Sequence, residues 1–158
     1  MSRFNRKSFI LAGLIMALGL TGAHAEPKFT FGLWGDMPYA KAKDQEKMPA
    51  IIDSINASDI AFSIYDGDIK DGSSKCTDEI YSDAIKMFNS LKQPTIYVPG
   101  DNEWTDCHRT NNGGYDQLER LGFIRKTMFA TPNSFGQKTI ALDPQGKASE
   151  RGYHFCWH

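Results

Sequence analysis

The sequence lacks an excess of basic charge, and this excludes one large class of partner. Its 158 residues carry 18 Lys and Arg against 19 Asp and Glu, a net charge of −1. Residues 1–25 contain three of the positive charges and none of the negative ones, so their removal leaves 15 against 19, a net charge of −4. We therefore expect no counterion-driven binding to nucleic acid and little attraction to anionic lipid.

Long apolar runs are also scarce, apart from one near the N-terminus. Three basic residues in the first seven positions precede an uncharged run from Phe9 to Leu20, and Ala23-His24-Ala25 follows it. The run is shorter than the ~20 residues that span a bilayer, which favours a secretory signal peptide cut after Ala25 over an uncleaved membrane anchor. We expect an exported chain, periplasmic or secreted, with one domain over residues 26–142 and a tail of doubtful register over 143–158.

Cysteines are few, and their number has meaning in an exported chain. The sequence has three, Cys76, Cys107 and Cys156. Cys76 and Cys107 each follow a Gly-Asp pair, so we predict a disulfide between them if both pairs lie at one sheet edge. Cys156 would then be unpaired. The alternative, three free thiols, is less common in an oxidising compartment.

Nucleotide and calcium motifs are missing as well. No Gly-Lys-Ser or Gly-Lys-Thr follows a strand-like run, which argues against a P-loop. The segment that begins at Asp66 resembles the start of an EF-hand loop, but Lys70 occupies the fifth ligand position and Thr77 stands in place of the bidentate glutamate. An aspartyl-phosphate mechanism using Asp66 and Asp68 would leave residues 101–103 without a role. We find no internal repeat.

The sequence does contain alternating strand-like and helix-like segments. The strand-like runs are Lys28–Trp34, Ile60–Tyr65 and Thr95–Val98. Apolar residues at helical spacing follow each run: Met48, Ile51, Ile52 and Ile55, then Ile80, Ala84, Met87, Phe88 and Leu91, then Leu118, Leu121, Ile124 and Met128. This order predicts an α/β fold, βαβαβα, with right-handed connections and a largely parallel sheet.

Several boundaries are predicted by local chemistry. Pro49 is tolerated only in a first turn, so the first helix should begin near Lys47. Thr77 is a typical N-cap for the second helix. The segment Lys138–Leu142 is a weaker candidate for a further strand.

Each of the three strand-like runs leads into a Gly-Asp pair. The pairs are Gly35-Asp36, Gly67-Asp68 and Gly100-Asp101. A single Gly-Asp after a strand is usually a turn, but three at the carboxyl edge of one parallel sheet would gather carboxylates that repel one another unless a cation lies between them. We therefore predict a divalent metal site formed by Asp36, Asp68 and Asp101.

The same blocks resemble the first three motifs of the calcineurin-like metallophosphoesterases, over about residues 28–109. In that family the blocks are Asp-x-His, Gly-Asp-x-x and Gly-Asn-His-Asp/Glu. The resemblance implies that Asp36 binds a first metal, that Asp68 bridges two metals, that Asp101 binds the second, and that Glu103 supports the third block. It also implies the N-terminal half of an α/β/β/α sandwich and two divalent metals, Mn, Fe or Zn.

The chain departs from the family pattern at the residues that should contact substrate. Pro38 replaces the first-block histidine, leaving Tyr39 as the nearest oxygen donor. Asn102 stands at the catalytic histidine position, and an amide cannot protonate a leaving group, so His108 is a candidate if its loop folds back.

Later histidine blocks of the family, including Gly-His-x-His, have no counterpart in the chain. Glu103 and Arg109 are candidate substrate contacts, although Arg109 is equally placed to pair with Asp106. The terminal histidines His154 and His158 are more simply incidental than ligands.

Two functions follow as expectations. The first is an exported hydrolase of phosphomonoesters or phosphodiesters, acting through a hydroxide shared by two metals on a small-molecule substrate, and incomplete in this chain. The alternative is a non-catalytic periplasmic metal-binding or interaction domain, favoured by the missing histidines. The sequence does not distinguish mono- from diesterase activity or indicate an oligomeric state.

Overall fold

Three short strands form one parallel sheet in the computed structural model, which describes residues 28–40 and 43–143. The strands are β1 (Phe31–Trp34), β2 (Phe62–Tyr65) and β3 (Thr95–Tyr97), in the spatial order β1-β2-β3. Both strand pairs are parallel. The predicted mixed α/β class with a parallel sheet is confirmed.

Helices alternate with the strands. They are α1 (Asp44–Ala57), α2 (Asp78–Asn89) and α3 (Gln117–Met128), and two short 3₁₀ turns, Thr105–His108 and Thr110–Asn112, precede α3. Across residues 28–40 and 43–143, no helix has the length and apolar character needed to cross a membrane. The predicted signal peptide, the last fifteen residues with His154, Cys156 and His158, and positions 41–42 lie outside the described part of the chain.

The core lies against one face of the sheet. Tyr65 of β2 and Tyr97 of β3 are at most 2% exposed, and the Phe88 ring of α2 lies 4.8 Å and 5.6 Å from theirs. Ile124 and Met128 of α3 close the same cluster. Because Tyr65 and Tyr97 occupy paired positions on β2 and β3, their side chains point to one face, and α2 and α3 bury it.

Helix α1 begins three residues earlier than the proline predicted. It starts at Asp44, so Pro49 lies within it. Asp44 and Glu46 place negative charge in the first turn, where the helix dipole favours it. The Asp44 carboxylate also accepts a hydrogen bond from the Tyr39 N–H at 2.9 Å. This contact stabilises the earlier start, although Pro49 inside the helix has no N–H to donate to the preceding turn.

Helix α3 buries a charged residue where an apolar one was expected. Leu118 is 66% exposed and does not belong to the core, contrary to the prediction. Arg120 is buried instead, because its guanidinium pairs with Asp78 at 2.7 Å and lies over the Phe123 ring at 4.7 Å. This contact ties α3 to the first turn of α2.

The predicted strand over residues 138–142 is wrong. The structure forms isolated antiparallel bridges there, Asn133 with Ala141 and Thr95 with Phe135. The Phe135 ring packs on Phe88 at 5.4 Å, so this segment covers the outer edge of β3 without extending the ladder. Thr77 does precede α2 as its N-cap residue, but its side chain forms no capping hydrogen bond.

Cys76 and Cys107 form a disulfide, the pair that was predicted. Their Cα atoms lie 5.7 Å apart across a sequence separation of 31 residues, and both residues are fully buried. The bond joins the segment after β2 to the segment after β3. Disulfides form and persist in oxidising compartments, so this pair is compatible with export.

Replacing both Cys76 and Cys107 by serine should lower the free energy of unfolding by about 3 kcal/mol, because the unfolded chain regains the entropy of the closed loop. Denaturant unfolding followed by circular dichroism measures this change. The control is Cys156→Ser, expected to unfold like the parent chain. An equal loss in the control would show that Cys156 takes part in the native pairing.

The opposite face of the sheet is apolar and open within the described residues. Phe31 and Leu33 of β1, and Phe29 just before it, occupy alternate positions and are 48%, 64% and 65% exposed. Phe62 of β2 adjoins them, with its ring stacked on Phe31 at 5.6 Å. Contiguous exposed apolar surface of this kind favours association.

Replacing Phe31 and Leu33 together by threonine should raise solubility and reduce the binding of a hydrophobic fluorescent dye, since threonine keeps the strand preference and removes apolar surface. Precipitation limits and dye fluorescence measure both effects. Leu118→Gln, an isolated exposed position on α3, is the matched control and should change neither. Unchanged dye binding in the double variant would show that this face is covered in solution.

Candidate functional site

Three loops at the carboxyl edge of the sheet bring the predicted acidic residues together. We call them loop one (residues 35–40), loop two (66–77) and loop three (98–104), after β1, β2 and β3. The Asp36 N–H donates to the Gly67 carbonyl at 2.9 Å, and the Asn102 N–H donates to Asp68 Oδ1 at 3.2 Å. The loops are therefore hydrogen-bonded in the order of their strands.

Asp36 and Asp68 share an unusual backbone conformation. Their φ angles are 58° and 62°, in the left-handed region, and each follows a glycine in the loop after its strand. Aspartate tolerates this region better than most residues but at a cost. The same costly conformation thus recurs in the loops after two adjacent strands, and backbone strain of this kind clusters at functional sites.

The hydroxyl of Tyr39 lies between these two carboxylates. It donates a short hydrogen bond to Asp36 Oδ1, lies 3.3 Å from Asp68 Oδ2, and accepts from the Asn102 Nδ2 at 3.2 Å. One phenol oxygen thus contacts all three loops. We call Asp36, Tyr39, Asp68 and Asn102 the oxygen cluster.

Burial and like charge both act on the oxygen cluster. Desolvation raises the pKa of Asp68, and the negative charges of Asp101 and Asp36 raise it further, against hydrogen bonds from Asn102 and Tyr39 that lower it. Desolvation, then the hydrogen bond to Asp36, also raises the pKa of Tyr39. The neighbouring carboxylates therefore make ionisation of Asp68 less favourable, and a cation beside them would relieve this repulsion.

Glu103 lies beneath the site and supports it. It is fully buried, and its carboxylate accepts from the Asp68 N–H at 3.2 Å, the Gly100 N–H at 2.8 Å and the Tyr97 hydroxyl at 2.8 Å. Desolvation raises its pKa. Because the side chain has no exposed surface, its contacts favour the supporting role in the third block over the predicted substrate contact.

Loops two and three touch through their glycines. A Cβ atom at Gly67, whose φ is +103°, would lie 2.6 Å from the Gly100 Cα, and any residue larger than glycine would force the loops apart. The Gly-Asp pairs are therefore required for close backbone approach as well as for turns.

A buried lysine that the sequence does not mark adds a further link. Lys70 is 3% exposed, and its Nζ donates to the Asp71 and Asn102 carbonyls at 2.9 Å and 2.8 Å. Desolvation lowers its pKa. Lysine in a polar loop is usually solvated, so no sequence signal could have indicated that this ammonium joins loop two to loop three.

The other predicted residues lie around the oxygen cluster. Asp101 is exposed, and only its backbone carbonyl is hydrogen-bonded, to the N–H groups of Trp104 and Asp106 and to the Thr105 hydroxyl, in the contacts that the structure gives for it. Its carboxylate is near enough to raise the pKa of Asp68. Asp101 therefore shares the edge of the sheet with Asp36 and Asp68.

His108 and Arg109 are held by other partners. His108 Nδ1 lies 2.6 Å from the Thr105 carbonyl and 3.1 Å from the Gln117 amide, towards α3. Arg109 pairs with Asp106 at 2.5 Å, the alternative partner recognised from the sequence. Within the described residues, neither side chain forms a hydrogen bond or ion pair with the oxygen cluster.

The donor chemistry of the oxygen cluster fits a hard cation. Among residues 28–40 and 43–143, no three His, Cys, Asp or Glu side chains are arranged as a metal-binding group. The cluster instead combines two carboxylates with a phenol and an amide, and carboxylate and carbonyl oxygens are the preferred ligands of Mg²⁺, Ca²⁺ and Mn²⁺. Asp36, Tyr39 and Asp68 would hold such an ion.

Comparisons of the chain with protein-family models, with curated proteins and with solved structures gave no significant match.

Glu103→Ala should lower the free energy of unfolding by about 3 kcal/mol, because it leaves buried donors at Asp68, Gly100 and Tyr97 without an acceptor. Glu103→Gln should lose less, since the amide oxygen still accepts. Denaturant unfolding measures both, with Glu46→Ala, an exposed position on α1, as the control. Equal stability of Glu103→Ala and the control would contradict the supporting role.

Proposed function

We propose that the chain carries a metal-dependent phosphoesterase site of the calcineurin-like type at the carboxyl edge of its sheet. The observation that supports this most is the meeting of Asp36 and Asp68, 32 residues apart in sequence, at the single hydroxyl of Tyr39. Loops at the carboxyl ends of parallel strands are where α/β proteins bind ligands. The predicted third ligand, Asp101, belongs to the adjacent loop.

A divalent ion at this edge would supply Lewis-acid polarisation of a phosphoryl oxygen and lower the pKa of bound water. Other residues of the chain hold the loops that would carry the metal ligands. Glu103 fixes the Asp68 and Gly100 backbone from below, and the disulfide holds loop two against the segment after loop three. Asn102 orients the Tyr39 hydroxyl.

The charge of the chain explains why the site would attract a phosphoester only when a divalent cation is bound. The mature chain is acidic, so its surface offers no general attraction to an anion. Arg109 is a candidate phosphate clamp only if it leaves Asp106, to which it is bound at 2.5 Å. A cation between Asp36 and Asp68 would make the local charge less negative or positive. Substrate binding would therefore require the metal.

A non-catalytic metal-binding domain is the second candidate. The observation that favours it is the position of His108, the one histidine among residues 28–40 and 43–143, which is bound to Thr105 and Gln117. No imidazole in the described part of the chain is then placed to protonate a leaving group. For this reason we expect slow turnover from the 158-residue chain.

Assays with an aryl phosphate and a bis-aryl phosphate in the presence of Mn²⁺ separate the two candidates. We expect weak, metal-dependent turnover that Asp68→Ala abolishes together with metal binding, because the Asp68 carboxylate contacts both Tyr39 and Asn102 in the oxygen cluster. Asp83→Ala, an exposed aspartate on α2, is the control and should behave like the parent chain.

Each other outcome has a distinct meaning. Mn²⁺ binding that is lost in Asp68→Ala, with no turnover of either ester, supports the non-catalytic domain. Absence of Mn²⁺ binding contradicts both candidates. Turnover at rates typical of enzymes, about 1–10³ per second, would show that an imidazole outside the described residues, or His108 after a loop movement, completes the site.

A further inference from the structure

We propose that the site selects a hard, oxygen-seeking cation, of the class of Mn²⁺, Mg²⁺ and Ca²⁺, and that Tyr39 is the ligand that sets this preference. The inference deepens the proposed function and rests on it. It differs from the expectation of Mn, Fe or Zn held by a mixed shell with imidazole, because the residues at the sheet edge supply a different set of donors.

The first support is the position of the Tyr39 oxygen. It is within hydrogen-bond distance of one carboxylate oxygen of Asp36 and one of Asp68, so a cation that binds both carboxylates comes within reach of the phenol as well. The structure thus places a third oxygen donor at the point where the two acidic loops converge.

The second support is the way Tyr39 is held. Its backbone N–H donates to Asp44 Oδ2 at 2.9 Å, and the Asp44 N–H donates back to the Tyr39 carbonyl at 3.2 Å. These reciprocal bonds tie Tyr39 to the first turn of α1. The backbone of Tyr39 is therefore fixed by the scaffold, and the Asn102 amide donates to its hydroxyl at 3.2 Å, which orients the side chain as a ligand must be oriented to impose a geometry on a metal.

The third support is the removal of softer donors from this edge. Both cysteines in the described part of the chain, Cys76 and Cys107, are joined in a disulfide and offer no free thiolate to a metal. His108 faces Thr105 and Gln117. Zinc sites use sulfur and imidazole nitrogen preferentially, whereas Mg²⁺, Ca²⁺ and Mn²⁺ prefer oxygen. The oxygen cluster accordingly favours the hard ions relative to a site with imidazole.

The preference is measured as a ratio, because zinc binds more tightly than manganese to most sites of any composition. We would titrate the full chain by calorimetry with Mn²⁺ and with Zn²⁺, and compare Tyr39→Phe and Tyr39→His. Tyr39→Phe should weaken Mn²⁺ binding by about tenfold or more, as loss of even an outer metal contact does. Tyr39→His should raise the ratio of Zn²⁺ to Mn²⁺ affinity by about tenfold or more, because it exchanges oxygen for nitrogen at the same place.

A spectroscopic readout distinguishes a ligand from a merely structural residue. The visible spectrum of bound Co²⁺ should change in Tyr39→His, since a nitrogen replaces an oxygen in the coordination shell, and circular dichroism checks that each variant is folded. The matched control is Tyr115→Phe. Tyr115 lies away from the oxygen cluster, with its ring on Arg120 at 4.8 Å, so affinities and Co²⁺ spectrum should stay as in the parent chain.

The outcomes separate this inference from the proposed function. Unchanged Mn²⁺ affinity in Tyr39→Phe, or a folded Tyr39→His with an unchanged affinity ratio and Co²⁺ spectrum, overturns the role of Tyr39 while metal dependence stands. If Tyr39→Phe does not fold, Tyr39→His decides the question by its ratio and spectrum. Failure of the parent chain to bind Mn²⁺ at millimolar concentration overturns both proposals.

Discussion

The buried carboxylate of Glu103 is the interaction on which the sheet edge depends. It has no access to water, and burial of a charged group is tolerated only where hydrogen bonds compensate for lost solvation. Glu103 meets this condition with backbone donors from loops two and three and the Tyr97 hydroxyl. One side chain thereby connects the core aromatic of β3 to the backbone that carries Asp68.

Above that support, the structure concentrates negative charge. Asp36 and Asp68 adopt left-handed backbone angles and approach the same phenol. The two carboxylates repel each other, so their approach must be stabilised by other contacts. These are the disulfide, the hydrogen bonds of the Lys70 ammonium and the close packing of Gly67 on Gly100. Such rigid support of a charged cluster is typical of ligand-binding sites.

The two faces of the sheet have different environments. Helices α2 and α3 bury the face that carries Tyr65 and Tyr97, while Phe31 and Leu33 on the other face are exposed. Parallel sheets are ordinarily covered on both sides. The site lies at the edge shared by both faces, so whatever covers the second face in solution would also border the loops that carry the acidic residues.

The sequence by itself determined the α/β order, the sheet edge and the disulfide partners. Strand-like runs ending in Gly-Asp place residues 36, 68 and 101 at one edge, because parallel strands end on the same side. Local patterns carry this information, since strand periodicity and turn residues act over a few positions. The predicted start of α1 and the predicted burial of Leu118 were wrong. Both depend on contacts between separate segments, Asp44 with Tyr39 and Arg120 with Asp78, and hydrophobic periodicity carries no information about such contacts.

Only the tertiary structure decided what each polar residue does. Glu103, Lys70 and Arg109 are all charged residues near the third block or the second loop. Nothing in their sequence context indicates that Glu103 is a fully buried support, that Lys70 is a buried link between loops and that Arg109 forms an exposed ion pair. Burial and hydrogen-bond partners make that distinction, and both arise from packing between segments about 30 residues apart. The central place of Tyr39 has the same origin, because a phenol hydroxyl becomes a junction only when three loops converge on it.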